Sequence, residues 1–174
     1  ETFVDPRLRL FALISLVRHG MEPGLQAWIP VAQSPETRNI LYEGLSHLGR
    51  CDLFPVEYST QEAFAESDMV NWLMFPTELG RAPDEVQMMH IEPFDQDEGC
   101  PGGLYEIYLF RFRASEPKWA AEKGWMAGIA GPFECRTGPS IESLGATFSC
   151  FESWDSRSPE GHLESILSLF DSRN

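Results

Sequence analysis

Apolar side chains recur at helical spacing near the start of the chain, between clear start and stop signals. Asp5-Pro6 is typical of a helix start, because the carboxylate can cap free backbone N–H groups and proline fits the first turn. Gly20 can adopt the left-handed backbone conformation that often ends a helix. The positions between them that share one face are Leu10, Leu13, Ile14 and Val17. The pattern therefore predicts a helix over 6–19.

Three further helical patterns follow before residue 76. A short helix over 25–33 is interrupted at Pro30, because proline lacks the backbone donor that a helix interior needs. The next helix is capped by Ser34 and closed by Gly49, and its predicted apolar face consists of Ile40, Leu41, Leu45 and Leu48. The fourth is predicted over 60–74, with Ser59 and Glu62 at capping-box spacing and apolar contacts from Phe64, Trp72 and Leu73.

After Pro76 the pattern changes to short runs rich in aromatic and branched residues, which is typical of strands. Strands are predicted over 85–93, 104–113, 124–133 and 146–154. Because no helix is predicted between them, we expect an antiparallel meander. A closing helix begins at Ser158-Pro159, and its apolar face consists of Leu163, Ile166, Leu167 and Phe170.

These elements predict the α+β class: helices first, then a four-stranded antiparallel sheet (a meander) and a C-terminal helix. The 174 residues suffice for one well-buried core and are few for two domains. We therefore expect a single domain over 1–174, with a helical part over 1–75, the sheet over 84–155 and the closing helix over 158–172. Because Glu1 is not an initiator methionine, we also expect a processed chain or a piece of a longer one.

The charge of the chain narrows the classes of partner. The formal net charge of −14 disfavours nucleic acid and anionic membrane surfaces, because both require a basic patch. The apolar run 8–17 is also too short to span a bilayer, which takes about 20 residues. A basic protein partner remains compatible with this charge.

Metal and cofactor signatures are weak. The four cysteines, Cys51, Cys100, Cys135 and Cys150, form no C-x-x-C pair, so we interpret them as incidental or buried thiols. His90 and Glu92 alternate on one strand without a third ligand. The acidic loop 95–99 resembles the start of a calcium loop, but Cys100 stands where an EF-hand needs glycine. We predict no metal and no cofactor.

The run Leu16-Val17-Arg18-His19-Gly20 resembles the phosphate-pocket motif of the histidine phosphatase and phosphoglycerate mutase family. The resemblance implies that His19 is a nucleophile and Arg18 a phosphate clamp, with Arg81 imitating the second arginine. In that family the run ends a strand, whereas here it ends a predicted helix, where positive charge favourably meets the helix dipole. Gly161-His162 also reverses the expected order. A phosphate-ester hydrolase using Arg18-His19 is therefore the alternative hypothesis.

Two stretches, 75–85 and 123–132, look more constrained than an ordinary surface. The second carries Gly124, Gly128 and Gly131, and glycine weakens a strand unless something approaches its backbone closely. Either a helix packed on the sheet or a ligand lying against Trp125 satisfies that condition.

At these two stretches the chain resembles the carboxy-terminal region of uncharacterised bacterial HEAT-repeat-containing proteins, with the helix that starts at Asp5-Pro6 as the last repeat. The resemblance implies a helical-repeat adaptor with an appended α+β module and no catalytic residues. Helices that merely cover a sheet would give a similar pattern.

We therefore expect a non-enzymatic, cytoplasmic, bacterial protein-interaction or scaffold module. Its partner would be another protein or further helical repeats. The candidate contact residues, chosen from composition and context, are Trp72, Glu78, Arg81 and Trp125.

Overall fold

The helices and strands follow the predicted order, with one addition. The computed structural model describes residues 5–94, 105–135, 138–145 and 147–171. The helices are α1 (Pro6–Arg18), α2 (Ile29–Gln33), α3 (Pro35–His47), α4 (Gln61–Leu73), α5 (Lys118–Lys123) and α6 (Pro159–Asp171), and the strands are β1 (Glu85–Phe94), β2 (Tyr105–Arg113), β3 (Met126–Glu134) and β4 (Phe148–Ser153). The acidic loop 95–99, Cys100 and the side chain of Phe170 lie outside the described residues.

The four strands form one sheet in the order β1-β2-β3-β4, and every neighbouring pair is antiparallel. This confirms the predicted meander and the α+β class. Each pair contains one register shift, and the one in the first pair falls between Met88 and His90.

The layers of the fold are arranged around α4. On one side α4 packs against α3, which in turn contacts α2 and α1. On the other side α4 packs against all four strands, while α6 covers part of the opposite sheet face. The described residues form three apolar clusters, one within the helical layer, one between α4 and the inner sheet face, and one beneath α6. The described helices include none that is long and apolar enough to cross a membrane.

The predicted helix ends of α1 and α3 are confirmed. The Asp5 carboxylate accepts a hydrogen bond from the Arg7 backbone N–H at 2.9 Å. Gly20 and Gly49 have φ angles of 75° and 65°, a left-handed conformation that glycine adopts without steric cost. Ser34 is the N-cap residue of α3, although its side chain makes no capping hydrogen bond.

Three local predictions were wrong. The α4 cap is Thr60, whose hydroxyl accepts from the Ala63 N–H at 3.2 Å, while the Ser59 hydroxyl donates to the Val56 carbonyl. Ile40 does not belong to the buried face of α3, because the helix turns it outward and leaves it 40% exposed. Helix α5 was not predicted, since six residues are too few for a periodic apolar pattern.

Arg38 joins α3 to the neighbouring helices. Its side chain is enclosed and donates to the carbonyl groups of Ala32 at 2.8 Å, Gln33 at 2.9 Å and Ala63 at 2.6 Å. It also forms an ion pair with Glu66 at 2.8 Å. A buried guanidinium is tolerated only when its donors are satisfied in this way, so Arg38 holds the helical layer together.

The glycines of β3 predicted that something approaches the backbone of this strand closely, and at Gly128 that neighbour is α4. A Cβ atom at this position would lie 2.8 Å from the Met69 Cε atom of α4 and 3.2 Å from a ring carbon of Phe112. The strand therefore lacks a side chain here because α4 packs against it, and not because a ligand occupies the space.

Candidate functional site

The exposed face of α3 separates two neighbouring depressions. Leu41 and Leu45 point into the helical layer, whereas Ile40, Glu43 and His47 line both depressions. Their spacing of three and four residues places them on one helix face. This stripe is the centre of the candidate site.

The first depression, which we call the apolar groove, lies between α1 and α3 and has a volume of about 390 Å³. Leu10 and Ile14 contribute apolar side chains, and Gly44 allows Ile14 to approach α3, since a Cβ atom there would lie 3.1 Å from the Ile14 Cδ1 atom. The Phe11 ring is 64% exposed, and Arg18 also lines the groove. The groove can accept an apolar side chain of a partner.

The second depression, which we call the acidic pocket, lies between α3, α4 and residues 139–142 and has a volume of about 690 Å³. Gln61 holds the 139–142 segment in place, because its amide nitrogen donates to the Ser140 carbonyl at 2.9 Å and its amide oxygen accepts from the Ser140 N–H at 2.7 Å. Among the described residues that line the pocket there is neither a lysine nor an arginine. The carboxylates are Glu43, Asp68 and Glu142.

Asp68 is the carboxylate of this pocket whose pKa is raised. It projects from α4 and accepts a hydrogen bond from the Thr147 hydroxyl, which lies just before β4. Burial raises the pKa of its carboxyl group, and the Thr147 hydrogen bond only partly opposes that rise. A cation brought into the pocket would favour the charged form of Asp68, so the pocket is suited to an amine or a guanidinium.

Asn39 and Asn71 also line the acidic pocket. The Asn39 amide nitrogen donates to the Phe64 carbonyl at 3.1 Å, while its buried amide oxygen has no hydrogen-bond partner among the described residues. The Asn71 amide nitrogen donates to the Ser67 carbonyl at 2.8 Å. Both asparagines thus use an amide N–H group to hold backbone carbonyl groups of α4, and the charge of this wall comes from the carboxylates.

Arg18 and His19 occupy the end of a helix. The Nδ1–H of His19 donates to the Ser15 carbonyl one turn earlier, at 2.8 Å, and its ring does not line the apolar groove. Arg18 is the only arginine among the described residues that line this groove. His162 lies elsewhere, stacked on Trp154 with ring centroids 4.1 Å apart. The residues that a phosphate pocket needs are not brought together.

Of the four candidate contact residues, Trp72 and Glu78 lie near the end of α4. Trp72 packs edge-on against Phe75, with ring centroids 5.7 Å apart. Glu78 accepts a hydrogen bond from the Ser149 hydroxyl of β4. Neither residue lines the apolar groove or the acidic pocket.

The other two candidates lie at one end of the sheet. Arg81 forms ion pairs with Asp84 at 2.9 Å and Glu116 at 3.2 Å, and it lines an open cleft of about 610 Å³ beside α5. The indole of Trp125 is covered by Arg111 and Arg113, at 4.6 Å and 5.1 Å from the ring centroid. Each candidate thus has partners within the chain, and none belongs to the α3 site.

His90 and Glu92 contact each other, as their strand spacing suggested. The Nε2 atom of His90 lies 2.9 Å from a Glu92 carboxylate oxygen, and its Nδ1 atom lies 3.6 Å from a carboxylate oxygen of Glu160. Within the described parts of the chain, no group of three or more His, Cys, Asp or Glu residues is placed to hold a metal ion.

Sequence reasoning missed the residues of the α3 site. Ile40 was assigned to the core because an apolar residue next to Leu41 fits a helical face, although the buried face is narrower and continues through Thr37 and Arg38. Asp68 and Asn71 offered a signal, since two polar residues three apart flank the buried positions of α4.

Comparisons with protein-family models, with curated proteins and with solved structures found no match. The HEAT-repeat resemblance therefore stays a prediction, and only the chain's own residues bear on its function.

Proposed function

We propose that the chain is a non-enzymatic protein-interaction module whose α3 face binds a basic, amphipathic helix of a partner protein. An apolar side chain of that helix lies in the apolar groove, and a lysine or arginine side chain enters the acidic pocket. The observation that carries the proposal is the contiguity of the two depressions, which share Ile40, Glu43 and His47 as their common wall.

The apolar half of the site supports a helix as the occupant. Phe11 and Leu8 on α1 are 64% and 65% exposed, and Ile40 on α3 is 40% exposed. Phe11 and Ile40 line the groove, and Leu8 lies three residues before Phe11 on α1. Exposed apolar residues along a groove between two helices are typical of surfaces that receive the apolar stripe of a third helix.

The acidic half supports a basic partner. Glu43, Asp68 and Glu142 line the pocket without a lysine or an arginine among the described lining residues. The net charge of −14 attracts basic proteins over distances comparable with the Debye length, about 8 Å at physiological salt. Long-range attraction and local recognition therefore favour the same class of partner.

The HEAT-repeat resemblance offers a related occupant. A preceding helical repeat would cover the exposed side of α1 and use the same apolar groove. A cytoplasmic setting in a bacterium belongs to this proposal, and three described cysteines that are all free thiols support it.

A designed peptide tests the proposal. The probe is a labelled helical peptide with leucine on one face and lysine on the other, and the matched probe replaces lysine with glutamate. We expect saturable binding of the lysine peptide by fluorescence anisotropy, weakened by roughly tenfold or more, about 1.4 kcal/mol, in F11D and in E43K. V56D and E57K, which alter exposed residues that line neither depression, are the controls and should bind like the unchanged protein.

Equal affinity for both peptides, or binding that F11D does not weaken, would contradict the proposal. Self-association that F11D abolishes in sedimentation would instead identify a second copy as the occupant. Hydrolysis of a phosphomonoester that H19A abolishes, with its circular dichroism unchanged, would support the hydrolase in place of the interaction module.

A further inference from the structure

A second site with different chemistry lies at the end of the sheet where β1 begins and β2 ends. We use the name sheet end for Glu85, Gln87, Arg111, Arg113 and Trp125. Cross-strand pairing places Glu85 opposite Arg113 and Gln87 opposite Arg111. Trp125 immediately precedes β3, the strand that pairs with the other side of β2.

Two arginines share one indole in this cluster. The guanidinium carbon of Arg111 lies 4.6 Å from the Trp125 ring centroid, and that of Arg113 lies 5.1 Å from it. Each cation is attracted to the ring, but the two cations repel each other. Glu85 forms an ion pair with Arg113 and offsets one of the two charges.

Arg111 has a neutral partner instead. Its Nε–H and Nη2–H groups donate to the Gln87 amide oxygen at 2.9 Å and 2.6 Å. The described part of the chain provides no carboxylate in an ion pair with Arg111, although acidic residues number 27 against 13 lysines and arginines in the sequence. Its remaining guanidinium N–H donors are not used by Gln87.

The surroundings of Arg111 fix its orientation, and its side chain stays partly exposed. The Trp154 ring centroid lies 6.0 Å from the guanidinium carbon of Arg111. Arg111 therefore has the rings of both Trp125 and Trp154 within the distance of a cation–π contact. Of the sheet-end residues, Arg113 lines a cleft of about 440 Å³ together with Asp84, Ala114, Ser115, Ala121 and Gly124. A planar guanidinium held by hydrogen bonds and rings is preorganised for a planar oxyanion.

We propose that the sheet end binds an aromatic carboxylate. The carboxylate of this ligand lies on Arg111 beside Arg113, and its aromatic ring packs against the partly exposed side chain of Trp125. The carboxylate supplies the negative charge that Gln87 does not, and its two oxygens match the fork of the guanidinium. The site is built from β1, β2 and the start of β3, so it is independent of the α3 site and of the function proposed for it.

Benzoate titration tests this inference on the intact chain. Two-dimensional ¹H–¹⁵N spectra follow the Trp125 indole N–H, with benzyl alcohol as the neutral probe and phenyl phosphate as the alternative anion. We expect saturable shifts with benzoate, roughly tenfold or more weaker binding to Q87E and R111M, and no saturable shift with benzyl alcohol.

Q87E is the decisive variant because it places a carboxylate opposite Arg111 and leaves the other four residues of the sheet end unchanged. Q26E adds the same charge at an exposed position outside the sheet, and it should bind benzoate like the unchanged protein. R50M removes an arginine that is paired with Asp52 and Glu22, and it should also leave binding unchanged.

Three results would overturn the inference. One is the absence of a saturable shift with benzoate, and another is equal benzoate affinity of Q87E and the unchanged protein. The third is tighter binding of phenyl phosphate than of benzoate, which would make the sheet end a phosphate site. If R111M does not fold, the benzoate affinity of Q87E compared with that of the unchanged protein decides the test.

Discussion

Arg38 in the helical layer and Arg111 at the sheet end are both held by hydrogen bonds, but only Arg38 is enclosed by the protein. Arg38 is 4% exposed, and three backbone carbonyl groups and Glu66 accept its N–H donors. Arg111 lies partly exposed on the sheet and donates to the neutral Gln87. An arginine whose donors are used internally supports the fold, whereas one with donors to spare is available to a ligand.

Two aspartates repeat this contrast between the regions. Asp68 lies among carboxylates in the acidic pocket, and burial raises its pKa. Asp84 lies beside Arg81 near the sheet end, and hydrogen bonds from Ser115, helped by the neighbouring arginines, lower its pKa. The pKa of the same side chain is thus shifted in opposite directions in the two places, because burial acts on Asp68 whereas N–H donors and cations act on Asp84.

The largest effect that we expect on stability comes from R38M. Removing the guanidinium leaves several buried carbonyl groups without a donor, and the loss should be about 3 kcal/mol. Urea denaturation followed by circular dichroism measures this loss. R111M should cost less than about 1 kcal/mol, because its hydrogen bonds are exposed. Equal losses of unfolding free energy in R38M and R111M would contradict the view that Arg38 supports the fold and Arg111 does not.

G128A tests the contact between α4 and the sheet that joins the two regions. The added methyl group meets Met69 at 2.8 Å and Phe112 at 3.2 Å, so we expect a loss of about 1–3 kcal/mol. A double variant with M69A should lose less than the sum of the two single changes in urea denaturation. If the losses of the two single variants add, the Met69 side chain moves aside from the added methyl group without a loss of stability.

D84N should lower the free energy of unfolding at neutral pH. Because the pKa of Asp84 is lowered in the folded protein, its favourable contribution is present above the ordinary aspartate pKa of about 3.9 and is lost as the pH falls through the folded value. The difference from the unchanged protein should therefore shrink on acidification. Urea midpoints measured from pH 7 to pH 3 check this, and a difference independent of pH would contradict it.

D68N should act in the opposite direction and with the smallest effect. A raised pKa contributes stability that is fully present below about pH 3.9 and is lost as the pH rises through the folded value. The asparagine variant should thus be more stable than the unchanged protein at pH 7 and similar to it at low pH, in the same urea series. It should also bind the lysine peptide more weakly, and a gain of both stability and affinity would exclude Asp68 from the site.

Local sequence determined the long helices and the strands of this protein, but not the six-residue helix α5. Asp5-Pro6 with Gly20 and Ser34-Pro35 with Gly49 fix the ends of α1 and α3, because caps and left-handed turns depend on a few adjacent residues. The strand runs and the absence of a long helix between them predicted the meander, since consecutive strands with short connections pair antiparallel.

Tertiary structure alone decided the sites. Asp68 and Thr147 lie 79 residues apart in the sequence, and Arg111 meets Gln87 across a separation of 24 residues. Which face of α3 is buried, and whether Gly128 admits a helix or a ligand, depends on what packs against each element. Periodicity shows which residues share one face of a helix or strand. The charge and solvation of a binding site arise only when faces of elements that are distant in the sequence pack together.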